Sequence, residues 1–340
     1  MKYLAIVTVA LALGMGSLGC IVAENELPED YQSAIPQAED FQLNVPDEGI
    51  ETAERALMAL KADGEVKAQF YMQTVGTVRE LNGWTWAMLH FVDDITSYPF
   101  TSEIHGGYEW GPFTPALSLV TLRFQLTKEG ENHFAFVLQF QPKGSEDDVW
   151  SDVLSGDYRP ESGAIKSRGS LMWDFAAARA LDPTVEADGQ LGIEYDSTTG
   201  VRYVDMTFVN FKDKHMDEPA NATYTYDEKP DQSGTFQFTA FGDVHQDDPE
   251  NAHLTAKEEY SIRARWLSGG SGRADVMVTG GDLETSVPSF DGYQVSECWD
   301  DYFNQVYFIE IAYPSGMDPW SGDPVGDIAA CVFDAPEFAE

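Results

Sequence analysis

Leu122-Arg123-Phe124-Gln125-Leu126, then Glu129-Gly130-Glu131-Asn132, then Phe134-Ala135-Phe136-Val137-Leu138-Gln139-Phe140 is the stretch on which the fold turns. Leu122, Phe124 and Leu126 alternate with Arg123 and Gln125, and Phe134, Phe136, Leu138 and Phe140 repeat the spacing of two. Successive side chains of a strand point to opposite faces, so this alternation buries one face and wets the other. A polar, glycine-containing turn between two such runs marks a β-hairpin.

The same period extends in both directions. Toward the C-terminus Tyr203, Asp205, Thr207, Val209 and Phe211 oppose Val204, Met206 and Phe208, and residues 223–226, 236–241, 260–266, 276–278 and 306–311 read as further strands. Gly269-Gly270-Ser271-Gly272 separates two of them as a hairpin turn would. Upstream, Val66, Ala68, Phe70 and Met72 alternate with Lys67, Gln69 and Tyr71, which predicts one more strand. Helical spacing is confined to residues 51–62, with Ala53, Leu57 and Leu60 on one face, and to residues 173–181, ended by Asp182-Pro183. On the order of eleven or twelve strands after residue 65 predict an all-β chain, a large antiparallel β-barrel or β-sandwich with one or two short helices. No linker rich in Gly, Ser or Pro divides it, so residues 51–340 are expected to form a single β-rich domain.

The 340 residues carry 58 acids against 20 bases, a net charge of −38, with 43% hydrophobic and 13% aromatic residues. That much apolar material builds a core and excludes a wholly disordered chain. The charge excludes nucleic-acid binding, which needs Lys and Arg gathered in patches. The acids are dispersed, in pairs such as Asp93-Asp94, Asp147-Asp148 and Asp300-Asp301, as expected of turns and solvated faces. A saline habitat that screens self-repulsion and a role in cation binding are both compatible with this.

Met1-Lys2, an apolar run over residues 4–13 and Gly14-Met15-Gly16-Ser17-Leu18-Gly19-Cys20 read as a secretory signal, too short to span a bilayer. With Cys20 directly after Gly19, these residues resemble a bacterial lipoprotein signal, although Ser17 stands where such signals most often have Leu. The resemblance implies removal of residues 1–19, acylation of Cys20 and a membrane partner reached through that lipid. Ile21, rather than Asp, follows Cys20, which implies the outer membrane rather than the inner. An ordinary signal with a chance cysteine is the alternative. Residues 20–50 hold eight acids from Glu24 to Glu48 and three prolines, Pro28, Pro36 and Pro46, and so predict an extended tether.

Beyond Cys20 only Cys298 and Cys331 remain. Two thiols in an exported chain are expected to pair, closing a loop that contributes roughly 3–4 kcal/mol in the chain-entropy model. A second resemblance spans roughly residues 165–335. Gly169-Ser170-Leu171-Met172-Trp173-Asp174-Phe175, Ile193-Glu194-Tyr195-Asp196, Arg265-Trp266, Gly272-Arg273-Ala274-Asp275, Gly280-Gly281-Asp282-Leu283 and Ser296-Glu297-Cys298-Trp299-Asp300 are similar to uncharacterised predicted lipoproteins of myxobacteria and their relatives. It implies an exported β protein and supplies no activity.

No catalytic residue is assigned from the sequence. Gly270-Ser271-Gly272 lacks the outer glycine spacing of a nucleophile elbow, and no phosphate-binding loop is present. The stretch from His245 to His253 could gather a metal or be a plain acidic loop. Asp318, Asp323 and Asp327, in a turn-rich segment inside the Cys298–Cys331 ring, are candidate calcium ligands. Eight tryptophans allow sugar stacking, or core packing. With so many acids, no carboxylate pair can be chosen for glycoside hydrolysis. The expectation is therefore an anchored envelope lipoprotein with a structural or ligand-binding role toward a small ligand or an envelope protein. An extracytoplasmic glycoside-type hydrolase is the alternative.

Overall fold

The computed structural model describes residues 27–46, 66–145, 149–160, 167–214, 216, 218–242, 253–284 and 289–335. Their strands are β1 (Ser102–Ile104), β2 (Gly107–Phe113), β3 (Val120–Gly130), β4 (His133–Pro142), β5 (Ser151–Pro160), β6 (Ser167–Asp174), β7 (Asp188–Asp196), β8 (Arg202–Lys212), β9 (Ala220–Glu228), β10 (Gly234–Gly242), β11 (Glu258–Trp266), β12 (Gly272–Thr279), β13 (Phe290–Trp299), β14 (Gln305–Pro314), β15 (Trp320–Ser321) and β16 (Val325–Gly326). Helices are α1 (Glu29–Gln32), α2 (Gln69–Thr96) and α3 (Phe175–Leu181). The strands follow one another in chain order along one antiparallel sheet, with β15 and β16 both on β14. The chain is thus mainly antiparallel β, as its alternation predicts. Among the described residues no pairing joins β1 to the far end, so the sheet is not a closed barrel.

The opening hairpin forms as read. Leu122 faces Phe140, Phe124 faces Leu138 and Leu126 faces Phe136, all buried, while Asn132 takes a left-handed conformation (φ 52°) in the turn. Asn tolerates that region because its short side chain bonds locally.

The strand expected over residues 66–72 is instead the entry to a 28-residue helix, so the forecast of only short helices also needs correction. Ala68, Tyr71, Met72, Val75 and Val78 are buried, at spacings of three and four. Every second residue from 66 to 72 is apolar, but the buried set follows the helical period, and burial decides. No acid stands in the first turn of α2 to signal its start. The cap comes from 228 residues away: Glu297 of β13 accepts the backbone N–H groups of Gln69 (2.7 Å) and Phe70 (2.8 Å). A carboxylate there satisfies unpaired helix donors and meets the positive end of the dipole. The helix expected over 173–181 is α3, whose Asp174 accepts the Ala177 N–H at 2.8 Å. Residues 51–62 lie outside the described residues.

The described residues fall into two compact units, where the sequence suggests one β domain over 51–340. One unit takes the described residues of 43–81 and 222–335; the other takes those of 27–42 and 82–221. In the first, Tyr71, Met72 and Val75 pack on Ala264, Ala274, Trp299 and Phe303, with the Tyr71 ring stacked 4.9 Å from Phe303. In the second, Trp84 meets Phe175 and Phe211 edge-on at 5.8 and 5.6 Å, and Met88, Leu89, Val92 and Ile95 are buried with it.

Residues 27–46 depart from the expected tether. In the second unit Tyr31 donates to the Gly106 carbonyl (2.9 Å) and packs edge-on to Tyr108 and Phe134. Asp40 accepts from Ser167 (3.1 Å), and Phe41 lies 4.3 Å from the Tyr195 ring. In the first unit the Asn44 N–H donates to the Tyr226 hydroxyl at 2.8 Å, and Tyr71 donates to the Pro46 carbonyl. Prolines and acids do not prevent docking where Ala34, Phe41 and Leu43 supply buried apolar surface.

Candidate functional site

Cys20, the proposed lipidation site, lies outside the described residues, as does the stretch from His245 to residue 252. Cys298 and Cys331 are joined as a disulfide with Cα atoms 5.4 Å apart. The bond fastens the C-terminal segment to β13, and next to it lies the most concentrated buried charge of the first unit.

This cluster follows from strand geometry. On β12 the first five residues are buried, so both faces are covered. Ala274 pairs with Glu297 and Asp275 with Ser296, which sets Arg273, Asp275, Ser296 and Cys298 on one face and Ala274, Glu297 and Trp299 on the other. Arg273 and Asp275 are 3% and 0% exposed. The Arg273 Nε donates to both Asp275 oxygens (3.0 and 2.9 Å), its Nη2 donates at 2.8 Å, and Ser296 Oγ donates to the same carboxylate at 2.6 Å. Arg265 Nη2 sits 3.7 Å from Asp275 as a second cation. A buried charge is tolerable when it is paired and hydrogen-bonded in this way.

One guanidinium nitrogen of each arginine also reaches main chain. Arg265 Nη2 donates to the Asp334 carbonyl (2.6 Å), and Arg273 Nη1 donates to the Phe333 carbonyl (3.5 Å). The Phe333 ring lies 5.0 Å below the Arg265 guanidinium. Two consecutive carbonyls of the C-terminal segment are thus clasped, two and three residues past Cys331.

Three carboxylates of the described residues are fully buried: Glu258, Asp275 and Glu297. Glu258 accepts the Asp282 N–H (2.9 Å), Asp275 is held by arginine, and Glu297 caps α2 and accepts from Gln305 (2.9 Å). Burial holds the Glu297 carboxyl above its ordinary range, opposed by the N–H groups of Gln69 and Phe70. Asp275 and Glu297 face opposite sides of the sheet and so form no acid–base pair.

Asp318, Asp323 and Asp327 are all exposed, and Asp327 accepts the Ala329 N–H at 2.9 Å. Among the described residues no three His, Cys, Asp or Glu side chains are gathered to hold a metal ion, so the structure does not bring these aspartates together. Gly270 lies in a turn with φ 98° and accepts from the Trp299 indole N–H (2.7 Å), as a hairpin connection rather than a nucleophile elbow. Trp84, Trp110, Trp173, Trp266 and Trp299 are core residues, while Trp86 and Trp320 are about half exposed. In the second unit a cleft of about 440 Å³ is lined by Arg179, Lys212 and Lys214 with Glu186 and Met216. Lys214 is paired with Glu186 at 2.8 Å and Arg179 with Asp188 at 3.5 Å, which neutralises much of its positive charge.

Sequence reasoning missed the Arg265–Arg273–Asp275 cluster. Its signal is a basic and an acidic residue two apart, Arg273 and Asp275, flanking Ala274 in a strand otherwise apolar. No protein-family model matches the chain, and neither a curated protein nor a solved structure is significantly similar to it.

Proposed function

We propose that the chain is an envelope lipoprotein, anchored through an acylated Cys20, in the outer membrane rather than the inner. Its β body acts as a scaffold or binding surface toward another envelope component. The observation that carries the second half is the filling of both units by α2. Tyr71, Met72 and Val75 pack on strand residues in one, and Trp84 packs on Phe211 of β8 in the other, on the apolar side where a carrier would hold its cargo. That favours recognition on the outer face and edges of the sheet over transport of an apolar ligand inside it. The hydrolase alternative gains no support from Glu258, Asp275 and Glu297, because each is bonded into the fold.

The docking of residues 27–46 bears on the anchor. Seven residue steps separate Cys20 from Leu27, at most about 25 Å of extended chain, so the body would ride close to the membrane rather than at the end of a long tether. Two or three acyl chains would hold it there, each buried methylene contributing about 0.8 kcal/mol. Intact mass of the protein recovered from its native membrane fraction tests this. A chain starting at Cys20 with a diacyl or triacyl adduct is expected; a mass without lipid overturns the anchor. Release of a Cys20→Ser variant into the aqueous phase of a detergent partition is the matching expectation.

A further inference from the structure

The outer edge of β14 is covered by the chain's own C-terminal segment, and the cover is thin. Ile311 and Ala312 pair with Ser321 and Trp320, and Tyr307 and Phe308 pair with Gly326 and Val325. Between and beyond them Gly322 N–H donates to the Glu310 carbonyl (2.9 Å) and Asp327 N–H to the Val306 carbonyl (3.1 Å). Almost every outward group of β14 is thereby used, yet every residue from 315 to 330 is exposed. Met317, Trp320, Val325 and Ile328 are each about half exposed, and Trp320 meets Phe290 edge-on at 5.8 Å. Beyond these pairs and that ring contact, the segment is held by the Cys298–Cys331 bond and the clasp of Arg265 and Arg273 on residues 333 and 334.

We propose that residues 315–334 are a removable cover for the edge of β14, locked by the disulfide, and that opening the lock gives this edge to the β14 of a second copy of the chain. A long apolar strand edge is a template for another strand, and β14 reads Gln-Val-Tyr-Phe-Ile-Glu-Ile-Ala-Tyr-Pro. Its self-complementarity selects the second copy. The carbonyls of Val306 and Glu310 face outward, and in an antiparallel strand the outward groups belong to alternate residues, here 306, 308, 310 and 312. A two-fold axis through Ile309 then pairs Phe308 with Glu310 and Val306 with Ala312 through those groups. The same register puts Ile309 on Ile309 and Tyr307 on Ile311, and sets the two Glu310 side chains diagonally rather than directly opposite.

Opening consumes one dithiol. Its thiolate attacks one sulfur, a mixed disulfide forms, and the second thiol displaces the remaining cysteine thiolate. The chain ends with two thiols, and the dithiol, having supplied two electrons and two protons, ends as its own disulfide.

The test uses the full chain carrying Cys20→Ser, oxidised or treated with dithiothreitol, beside Cys298→Ser/Cys331→Ser. Mass is read by light scattering, and amide exchange is followed at Phe308, Glu310 and Ala312. The oxidised chain is expected to be a monomer with these amides protected. Opened chains should exchange them about tenfold faster when dilute, then double in mass and regain protection at tens of micromolar. Glu310→Pro removes an outward N–H without touching the β13 ladder, so it should return the opened chain to a monomer. If the serine variant fails to fold, Gly326→Ala replaces it. A Cβ there would strike the Val306 carbonyl and lift the cover with the disulfide intact. Unchanged protection after opening overturns the lock. Lost protection without doubling, or association that Glu310→Pro leaves intact, overturns the second copy.

Discussion

Residues 27–46 and 315–334 are both segments of only short regular elements laid against strands, and they are held by different means. The first buries Ala34, Pro36, Phe41 and Leu43, and its polar contacts, such as Asp40 with Ser167, sit among them. The second keeps residues 315–330 exposed and is held by a few backbone pairs to β14, one covalent bond and two guanidinium groups. Burial holds a segment in proportion to area and is indifferent to redox state. A disulfide holds a segment with no fully buried side chain between residues 315 and 330, at the price of a single point of failure.

The comparison breaks first at Phe41. Replacing it with Ala should destabilise the fold by about 3–5 kcal/mol, with or without dithiothreitol, because a buried aromatic is lost and a cavity left. Chemical denaturation of both redox forms checks this; a redox-dependent loss would erase the contrast. Reduction of Cys298–Cys331 should come next, at about 3–4 kcal/mol in the chain-entropy model. Its effect should be the same in the Phe41→Ala background, since Phe41 packs on Tyr195 of β7 and the disulfide is made to β13.

A smaller effect sharpens the contrast through pH. Glu297 has a raised carboxyl pKa in the fold, so the native state holds its proton where the unfolded chain has lost it. Stability therefore falls as pH rises from the ordinary carboxylate pKa, about 4.3, up to the folded value. The Asp30 carboxyl, lowered first by its bond to Lys128, runs the other way and loses its contribution as pH falls below the carboxylate range. Glu297→Gln should remove the first slope only, read as stability against pH from 3 to 7 at constant salt; an unchanged slope would mean another group carries it. Smallest of all, Ile328→Ser should change stability by no more than about 0.5 kcal/mol, as for any exposed position. A larger loss in a thermal melt would mean the C-terminal cover buries more than its exposure indicates.

How much of this was legible in the chain depended on how local its cause is. The hairpin from Leu122 to Phe140 and the end of α3 at Asp182-Pro183 are set by neighbours in sequence, and they form where alternation and helix-stop residues put them. The start of α2 was not legible, because its capping carboxylate is Glu297 and its buried face is defined by Trp299 and Phe303. The docking of residues 27–46 was hidden for a related reason: their acids and prolines describe a free segment, and only Tyr195 and Tyr226 explain where Phe41 and Asn44 go. The cysteine pair could be read by counting. The guanidinium clasp beside it could not, because its acceptors are main-chain carbonyls, which every residue has.

The meander has a consequence for the order of assembly. Neighbouring strands close short loops, so hairpins such as β3–β4 can form as soon as their residues are available. The bond from Asn44 to Tyr226 must wait for 182 more residues, and the cap on α2 from Glu297 for 228. Tyr31 can therefore be seated on Gly106 and Phe134 long before Asn44 finds Tyr226, and α2 spends most of the synthesis of the chain without its cap.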